Sequence, residues 1–429
     1  MQDLTILIPN MRPPFSHGIE IVQYENIMQK ICEKFNVKPI WVIFQADKIE
    51  HQKTDEYEII YYDNYNNALE ILDETNPDLI LFDGDLTCQS IVFALAGKYK
   101  KIPVVTSHFV THLKGESRFS WFKARVRTTF ANEGFANVDK GEKPRTFKML
   151  SYLVSEYRFL LRTLKKMKYS TLDVLRFMSF FPRAQTFSSE ANPVHPIAGG
   201  DLNLCSTPEL VDDLKTAGFA PQTIFLCGNP YFDDLFFKKQ NNSINIENLE
   251  PRILFCTSSL HEHGIWSKKK EDDLIINGIK SILKTGKHKI SLKIHPSMSS
   301  DKDYRELLDK NKLNITLHQK ENFITLLSEY DIIVSYGQST TLLESVLLNK
   351  KVVFIRTPEI DKTNIYFDES IMTLSSNVND LGSKIQTSLE KVVLKNNYQN
   401  YIQKHIGKFD GNCSTLAANE ILKICNKKF

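Results

Sequence analysis

The sequence predicts an α/β protein built from two Rossmann-like halves, each a parallel sheet with helices between its strands. Three observations carry this reading. Short buried-strand runs alternate with helical patterns from Leu4 to Thr106, the same alternation restarts at Ile253 and continues to Ile355, and a polar, asparagine-rich stretch from Gln240 to Glu250 separates the two. Parallel neighbours need long crossover connections, which the intervening helices supply.

Length and composition bound the function. The 429 residues suffice for two or three domains. Hydrophobic content of 42% and charged content of 24% are those of an ordinary globular protein. A net charge of +3 is too small to argue for nucleic acid, and no basic run with interleaved aromatics recurs as a binding module; nucleic acid is not an expected partner. The seven cysteines, Cys32, Cys88, Cys205, Cys227, Cys256, Cys413 and Cys425, form no C-x-x-C pair. They read as reduced, buried thiols rather than a zinc cluster or disulfide framework. Met1 leads directly into a strand-like run without a basic and apolar leader. No apolar stretch approaches the roughly 18 residues that span a bilayer. The expected location is cytoplasmic.

In the first half, the strand Leu4 to Ile8 is closed by Pro9-Asn10, and a loop carrying Pro13, Pro14, His17 and Gly18 leads to a helical pattern over 19–35. Strands follow over 40–44 and 58–62, a helix over 67–74, and a strand over 79–82 that ends in Asp83-Gly84-Asp85. A helix through Ala94 to Tyr99 precedes the strand 103–106, after which come Ser107 and His108. His17, Gly18, Asp83 and His108 occupy loops at strand ends and are candidate ligand contacts, whereas Asp85 reads as a helix cap.

Residues 111–190 interrupt the alternation. They hold the basic and aromatic stretch Arg118 to Arg127, the run Asn132-Glu133-Gly134-Phe135, and one long helical region over 146–181. In that region Leu150, Leu153, Tyr157 and Leu161 fall at helical spacing, with Arg158, Arg162, Lys165, Lys166 and Lys168 gathered nearby. One reading is a helical insertion with a solvated basic face; the other is a basic amphipathic surface for an anionic membrane. Strands over 202–205 and 223–227 complete this half, the second ending in the turn Gly228-Asn229-Pro230. The expected domains are therefore 1–235 with an insertion at 111–190, then 250–395, then closing helices over 396–429.

The second half opens with Ile253 to Phe255 and meets the hydroxyl-rich loop Cys256 to Gly264. Thr257, Ser258, Ser259, His261 and His263 are candidate contacts there. The two histidines lack a third ligand at useful spacing, so no metal is expected. After a helix over 273–285, the strand 289–294 ends in Lys293, His295 and Pro296. Proline cannot continue the ladder, and a histidine at such an end can stabilise a departing phosphate. A helix over 304–310, a strand over 315–318 and an amphipathic helix from Ile324 lead to the strand 331–334. The turn Ser335 to Gln338 then opens a helix at Ser339, and a strand follows over 352–355, with helices from Ser375 to the end. Open parallel sheets take ligands beyond the carboxyl ends of their strands, and a helix start offers free N–H groups to an anion. Ser339, Thr340 and Thr341 place three hydroxyls at that start, with Gly337 and Gln338 in the approach. Glu344 stands four residues beyond Thr340, on the same face, where its carboxylate can reach a ribose hydroxyl. The alternative at these residues is simple capping, with Ser339 as N-cap and Glu344 solvated.

The pairing of Ile290-Ser-Leu-Lys-Ile-His-Pro296 with Ser339-Thr340-Thr341 resembles the nucleotide-binding half of GT-B glycosyltransferases that build bacterial surface polysaccharides. That group includes sialyltransferases and polysialyltransferases, capsule Kdo transferases and polyglycerol-phosphate transferases, and the likeness is strongest over 225–356. It implies a GT-B architecture, two Rossmann-like domains facing a cleft, with the closing helices crossing back onto the first. It also implies inverting transfer of a sugar from a nucleotide-activated donor to a surface polysaccharide or lipid-linked glycan acceptor, with no cofactor or metal, at the inner face of the membrane or in the cytoplasm. On this likeness Lys293, His295, Pro296, Gly337, Gln338, Ser339, Thr340, Thr341 and Glu344 hold the nucleotide. Gly228 and Asn229 mark the hand-over between domains. Glu133 matches the catalytic base beside a glycine, although Asn132 stands where the group has a second acid. A single-phosphate donor needs less charge compensation, which favours CMP-sialic acid or CMP-Kdo over a UDP-sugar. A UDP-N-acetylglucosamine 2-epimerase shares the two-half layout, but the loop from Thr257 to Gly264 lacks the Arg-Glu-Asn expected of one. A non-catalytic subunit of a polysaccharide assembly complex is the remaining reading.

Overall fold

The computed structural model describes residues 1–10, 14, 19–44, 52–54, 56–109, 145–187, 194–241, 250–258, 260–261, 266–286, 288–295, 300–337, 339–357 and 366–426. They form two compact units, one made by the described residues up to Asp233 together with those from Ile406 onward, the other by the described residues of Asp234–His405.

The first unit contains β1 (Gln2–Asn10), α1 (Ile19–Cys32), β2 (Phe35–Ile43), β3 (Gln52–Lys53), β4 (Glu58–Tyr61), α2 (Ala68–Thr75) and β5 (Leu79–Asp83). It continues through α3 (Cys88–Lys100), β6 (Val104–His108), α4 (Arg145–Lys166), α5 (Thr171–Phe187), β7 (Leu202–Cys205), α6 (Pro208–Thr216) and β8 (Ile224–Leu226). Its sheet runs in the order β3-β4-β2-β1-β5-β6-β7-β8, parallel except for β3, which pairs antiparallel with β4. The strands are buried on both faces, as the unbroken apolar runs require. Leu7 of β1 packs in a cluster with α2, α3 and α4, while Leu4, Ile6 and Ile8 point into a second cluster with α1.

Three boundaries depart from the sequence expectation, each for a local reason. The first helix stops at Cys32, because Phe35 already pairs with Gln2 in register and draws 35–38 into β2. The single helix expected over 146–181 is two helices. Lys168 takes a left-handed φ of 63° and ends the first, and Ser170 starts the second by accepting the N–H of Asp173 at 3.1 Å. Asp85 is not the cap of α3. Thr87 is, its hydroxyl accepting from the N–H of Ser90, while Asp85 forms a backbone bridge to Val194.

The second unit opens with α7 (Asp233–Asn241), whose first residue belongs to the first unit, and holds β9 (Arg252–Cys256), α8 (Lys268–Leu283), β10 (Lys289–Lys293), α9 (Asp301–Lys310), β11 (Thr316–His318), α10 (Phe323–Glu329) and β12 (Ile332–Tyr336). It ends with α11 (Thr340–Leu347), β13 (Lys351–Ile355), β14 (Thr373–Ser375), α12 (Leu381–Glu390) and α13 (Lys395–His405). All six strands are parallel, in the order β11-β10-β9-β12-β13-β14. This is the doubly wound order, in which the chain starts centrally, moves to one edge and then returns past its origin. Both α8 and α9 begin earlier than their apolar patterns, because Ser267 and Ser300 cap them. β14 was not expected and ends at Ser375, where helix was expected to start; three residues are too few to show strand alternation.

The last helix, α14 (Cys413–Asn426), belongs to the first unit, where Ala417, Ala418, Ile421, Leu422 and Cys425 join the α1 cluster. Asp233 caps it, accepting from the N–H of Cys413 at 3.0 Å and of Ser414 at 2.6 Å.

Candidate active site at the strand ends of the second unit

The strand order of the second unit reverses between β9 and β12, and the crevice beyond the carboxyl ends at such a reversal is where open α/β sheets take ligands. Register shows which residues meet there. Cys256 pairs with Lys293 on one side and Ser335 on the other, so Thr257, Ile294 and Tyr336 stand abreast just beyond. The N–H of Thr257 donates to the Lys293 carbonyl at 2.9 Å. His295 therefore follows β10, Ser339 follows β12, and Thr257 and Ser258 lie between them. Strands are spaced about 4.8 Å apart, which sets the two motifs roughly 10 Å from each other.

The turn after β12 brings the backbone close to this edge. Gly337 has a φ of 72°, in the left-handed region that glycine adopts at little cost. Ser339 is the N-cap of α11, its hydroxyl accepting from the N–H of Thr341 at 3.2 Å and donating to the Thr341 hydroxyl at 2.8 Å. The helix start expected to take an anion is thus also capped by its own serine. Thr340 stands half-buried beside them. Two further hydroxyl oxygens, of Thr257 and Ser335, are buried with no hydrogen-bond partner among the described residues. Leaving such a group unmet costs about 1–3 kcal/mol, which a ligand oxygen would recover at Thr257.

Glu344 is buried at 5% exposure rather than solvated, and its charge reaches two neighbours. Burial first, and Glu344 second, push the Tyr366 phenol up to about 12. Burial also drives the Cys256 thiol up, opposed by Lys293 and reinforced by Glu344. Lys293 is buried too, and its ammonium donates to the carbonyls of Ile294 at 3.1 Å and Gln319 at 2.6 Å. It braces the loop after β11 and places a cation behind the strand ends; burial lowers its pKa.

Sequence reasoning missed the residue that holds the site together. Glu271 of α8 is 1% exposed. Its carboxylate accepts from the N–H groups of Leu260 and His261, both at 3.0 Å, and from the Tyr336 hydroxyl at 2.6 Å. Trp266 stacks on Tyr336 with centroids 5.9 Å apart and planes within 5°, and the Ser258 hydroxyl donates to the Tyr336 carbonyl. One buried carboxylate thereby ties the loop after β9 to the end of β12. The Tyr336 phenol is held well above its ordinary range by burial and then by Glu271. The only trace in the sequence is that Glu271 takes an inner position on the stripe Ile275, Ile279 and Ile282.

The other candidates divide as follows. His261 is half-buried, with Nδ1 3.4 Å from the Trp266 carbonyl, and His295 is half-buried at its strand end. Asp83, His108, Gly228 and Asn229 belong to the first unit. Asp83 accepts from the hydroxyls of Tyr24 and Ser107, each at 2.8 Å. His108 is buried, and its ring lies so close over Gly84 that a Cβ there would come within 2.1 Å of it. Gly228, at a φ of 86°, lies against Cys413, whose sulfur a Cβ would meet at 2.4 Å. Asn229 accepts from Gln23 at 2.9 Å and donates to the Phe109 carbonyl at 3.1 Å. It is a buried turn residue engaged by its own unit. His17, Gly18, Glu133, Ser259, His263, Pro296 and Gln338 lie outside the described residues.

Two Rossmann-like units, the second with a hydroxyl-rich helix start at its strand reversal, make up the GT-B fold. A sequence model of the UDP-N-acetylglucosamine 2-epimerase family matches residues 197–421, more than half of the chain, and the chain belongs to that family. Among solved structures, the chain is similar to the UDP-GlcNAc 2-epimerase of Methanocaldococcus jannaschii, with 14% identity, a TM-score of 0.54, and coverage of 99% of this chain and 100% of the other. It is also similar to S. aureus MnaA in its co-structure with UDP, at 13% identity and TM-score 0.52 over 99% and 97% of the two chains. For the Neisseria meningitidis UDP-GlcNAc 2-epimerase bound to UDP-GlcNAc, the values are 14%, 0.51, 98% and 100%. At these identities the likeness is one of fold. No curated protein matches the chain in sequence. The resemblance to the sialyltransferase and Kdo transferase group holds for the GT-B fold, and the family is the epimerase one instead.

Proposed function

We propose that the strand ends of the second unit bind a UDP-activated amino sugar and that the enzyme inverts its carbon 2, the reaction for which the family is named. The observation that carries this reading is the start of α11, with Gly337 and three hydroxyl residues, set at the β9/β12 reversal inside the family-matched segment. Helix starts of this kind favour phosphate. The roughly 10 Å from Ser339 across Thr257 to His295 suits two phosphates better than one. Uridine diphosphate therefore replaces the CMP donor that charge compensation favoured, in line with the UDP and UDP-GlcNAc bound in the Staphylococcus and Neisseria structures. In this reading Ser339, Thr340 and Thr341 bind phosphate, Glu344 addresses the ribose, and His295 takes up charge on the phosphate. Glu133 belongs to the transfer reading, in which it would take the proton of an acceptor hydroxyl.

One observation favours sugar transfer as a second reading: the loop from Thr257 to Gly264 lacks Arg-Glu-Asn. Incubation with UDP-GlcNAc in deuterated water separates the two. Inversion at carbon 2 breaks its C–H bond, so NMR would show the manno epimer carrying deuterium there. UDP release that depends on an added glycan acceptor, with carbon 2 unlabelled, would instead support transfer. No change under either condition would sink both.

A further inference from the structure

The hairpin of α4 and α5 has two unlike sides. Phe159, Leu160, Leu164 and Met167 of α4 and Val174 of α5 are buried in the core of the first unit. The opposite side is not the purely charged surface of a solvated helix. On α5, Leu172, Leu175, Arg176, Ser179 and Arg183 recur at i, i+3, i+4, i+7 and i+11, one stripe opposite Val174. Leu172 is 56% exposed, Leu175 62%, and Phe180 at the margin 37%. Val154 and Tyr169 are also exposed, so this hairpin carries five of the eleven large apolar side chains exposed among the described residues. Scattered exposed apolar residues need no explanation, but a cluster marks an interaction site.

The same side is strongly basic. Arg158, Arg162, Lys165 and Lys166 line the outer stripe of α4, and Lys168 follows at the turn. With Arg176 and Arg183 this makes seven exposed cations. The exposed acid among them is Asp173, which is hydrogen-bonded to Ser170 and lies 3.9 Å from Arg176.

We propose that the α4–α5 hairpin docks the enzyme on an anionic phospholipid surface. Leu172, Leu175 and Phe180 enter the boundary between headgroups and acyl chains, and the flanking cations meet lipid phosphates. Charge complementarity selects this partner over a second copy of the chain, since a two-fold contact would set the basic stripe against itself. The contact is interfacial, because no helix among the described residues is long and apolar enough to cross a membrane. The proposal does not depend on which reaction the enzyme performs.

Flotation of the full chain with vesicles tests it, using phosphatidylcholine alone and equal parts phosphatidylcholine and phosphatidylglycerol, at low and high salt. The protein is expected to float with the anionic vesicles at low salt, to leave them as salt rises, and to ignore the neutral ones. Arg176→Glu with Arg183→Glu should weaken binding by about fivefold or more per cation removed. Leu172→Ser with Leu175→Ser should weaken it as well, and both double variants should keep the wild-type melting temperature in UDP, showing that they fold. Equal flotation with both vesicle types, or none with either, would overturn the proposal. So would a concentration-dependent dimer that the leucine variant dissolves, which would assign the face to a second copy.

Discussion

Glu271 shows how a single side chain can set the geometry of a site it does not line. Its carboxylate holds the N–H groups of Leu260 and His261 and the hydroxyl of Tyr336, so the loop after β9 and the end of β12 share one anchor. In Glu271→Gln one acceptor oxygen becomes an NH2 group facing donors, which leaves a buried N–H unmet at a cost of about 1–3 kcal/mol. Tyr336→Phe removes one bond yet leaves the carboxylate its two backbone donors, and should cost nearer to about 1 kcal/mol. Urea denaturation of the two variants checks the order, and UDP affinity should fall with Glu271→Gln. Equal losses would show that the anchor is not the carboxylate. Beyond the inner position of Glu271 on its helical stripe, none of this was legible in the sequence, where an acid in a first helical turn reads as a dipole partner. Lys293 was singled out for the nucleotide, but the strand pattern could not show that its ammonium would bond to the Ile294 and Gln319 carbonyls.

Elements were more legible than contacts, for a physical reason. Strands buried on both faces appear as continuous apolar runs, and helices between them appear as a change of period, so the longer strands of both sheets could be read from hydrophobicity, while the short edge strands β3 and β14 could not. What escaped was whatever depends on backbone angle or a cap. The break between α4 and α5 sits at Lys168 in a left-handed conformation, with neither glycine nor proline to announce it. The capping role of Asp233 joins positions 180 residues apart, beyond any local pattern. It holds the first turn of α14 through two backbone N–H groups and the Ser414 hydroxyl at 2.6 Å. Asp233→Ala should lower stability by about 1–2 kcal/mol, with amide exchange rising first in 413–416. Asp233→Asn, which keeps one acceptor oxygen, should lose less. Unchanged exchange in that turn would contradict the capping role.

Across the whole molecule the two units carry opposite dependences on pH. Glu156 in α4 is raised to about 7 by burial and by Asp63. Its folded-state pKa lies above the unfolded one, so its contribution is fully present below about 4.5 and is lost as pH rises through about 7. His405 in α13 is lowered to about 4, by burial first and Lys404 second, with its ring against Tyr401 at 4.5 Å. Its contribution is present above about 6.5 and is lost as pH falls through about 4. Each is worth on the order of 2 kcal/mol. Glu156→Gln should therefore flatten the alkaline limb of the stability curve, and His405→Gln the acid limb, in urea titrations from pH 4 to 8. A variant that leaves its own limb unchanged would refute its assignment. Whether the strand ends of the second unit bind uridine diphosphate is read out by calorimetric titration with UDP and with CMP. UDP should bind, CMP should bind far more weakly, and His295→Ala should reduce UDP binding without unfolding the protein. Tighter binding of CMP, or UDP binding untouched by both His295→Ala and Ser339→Ala, would contradict it.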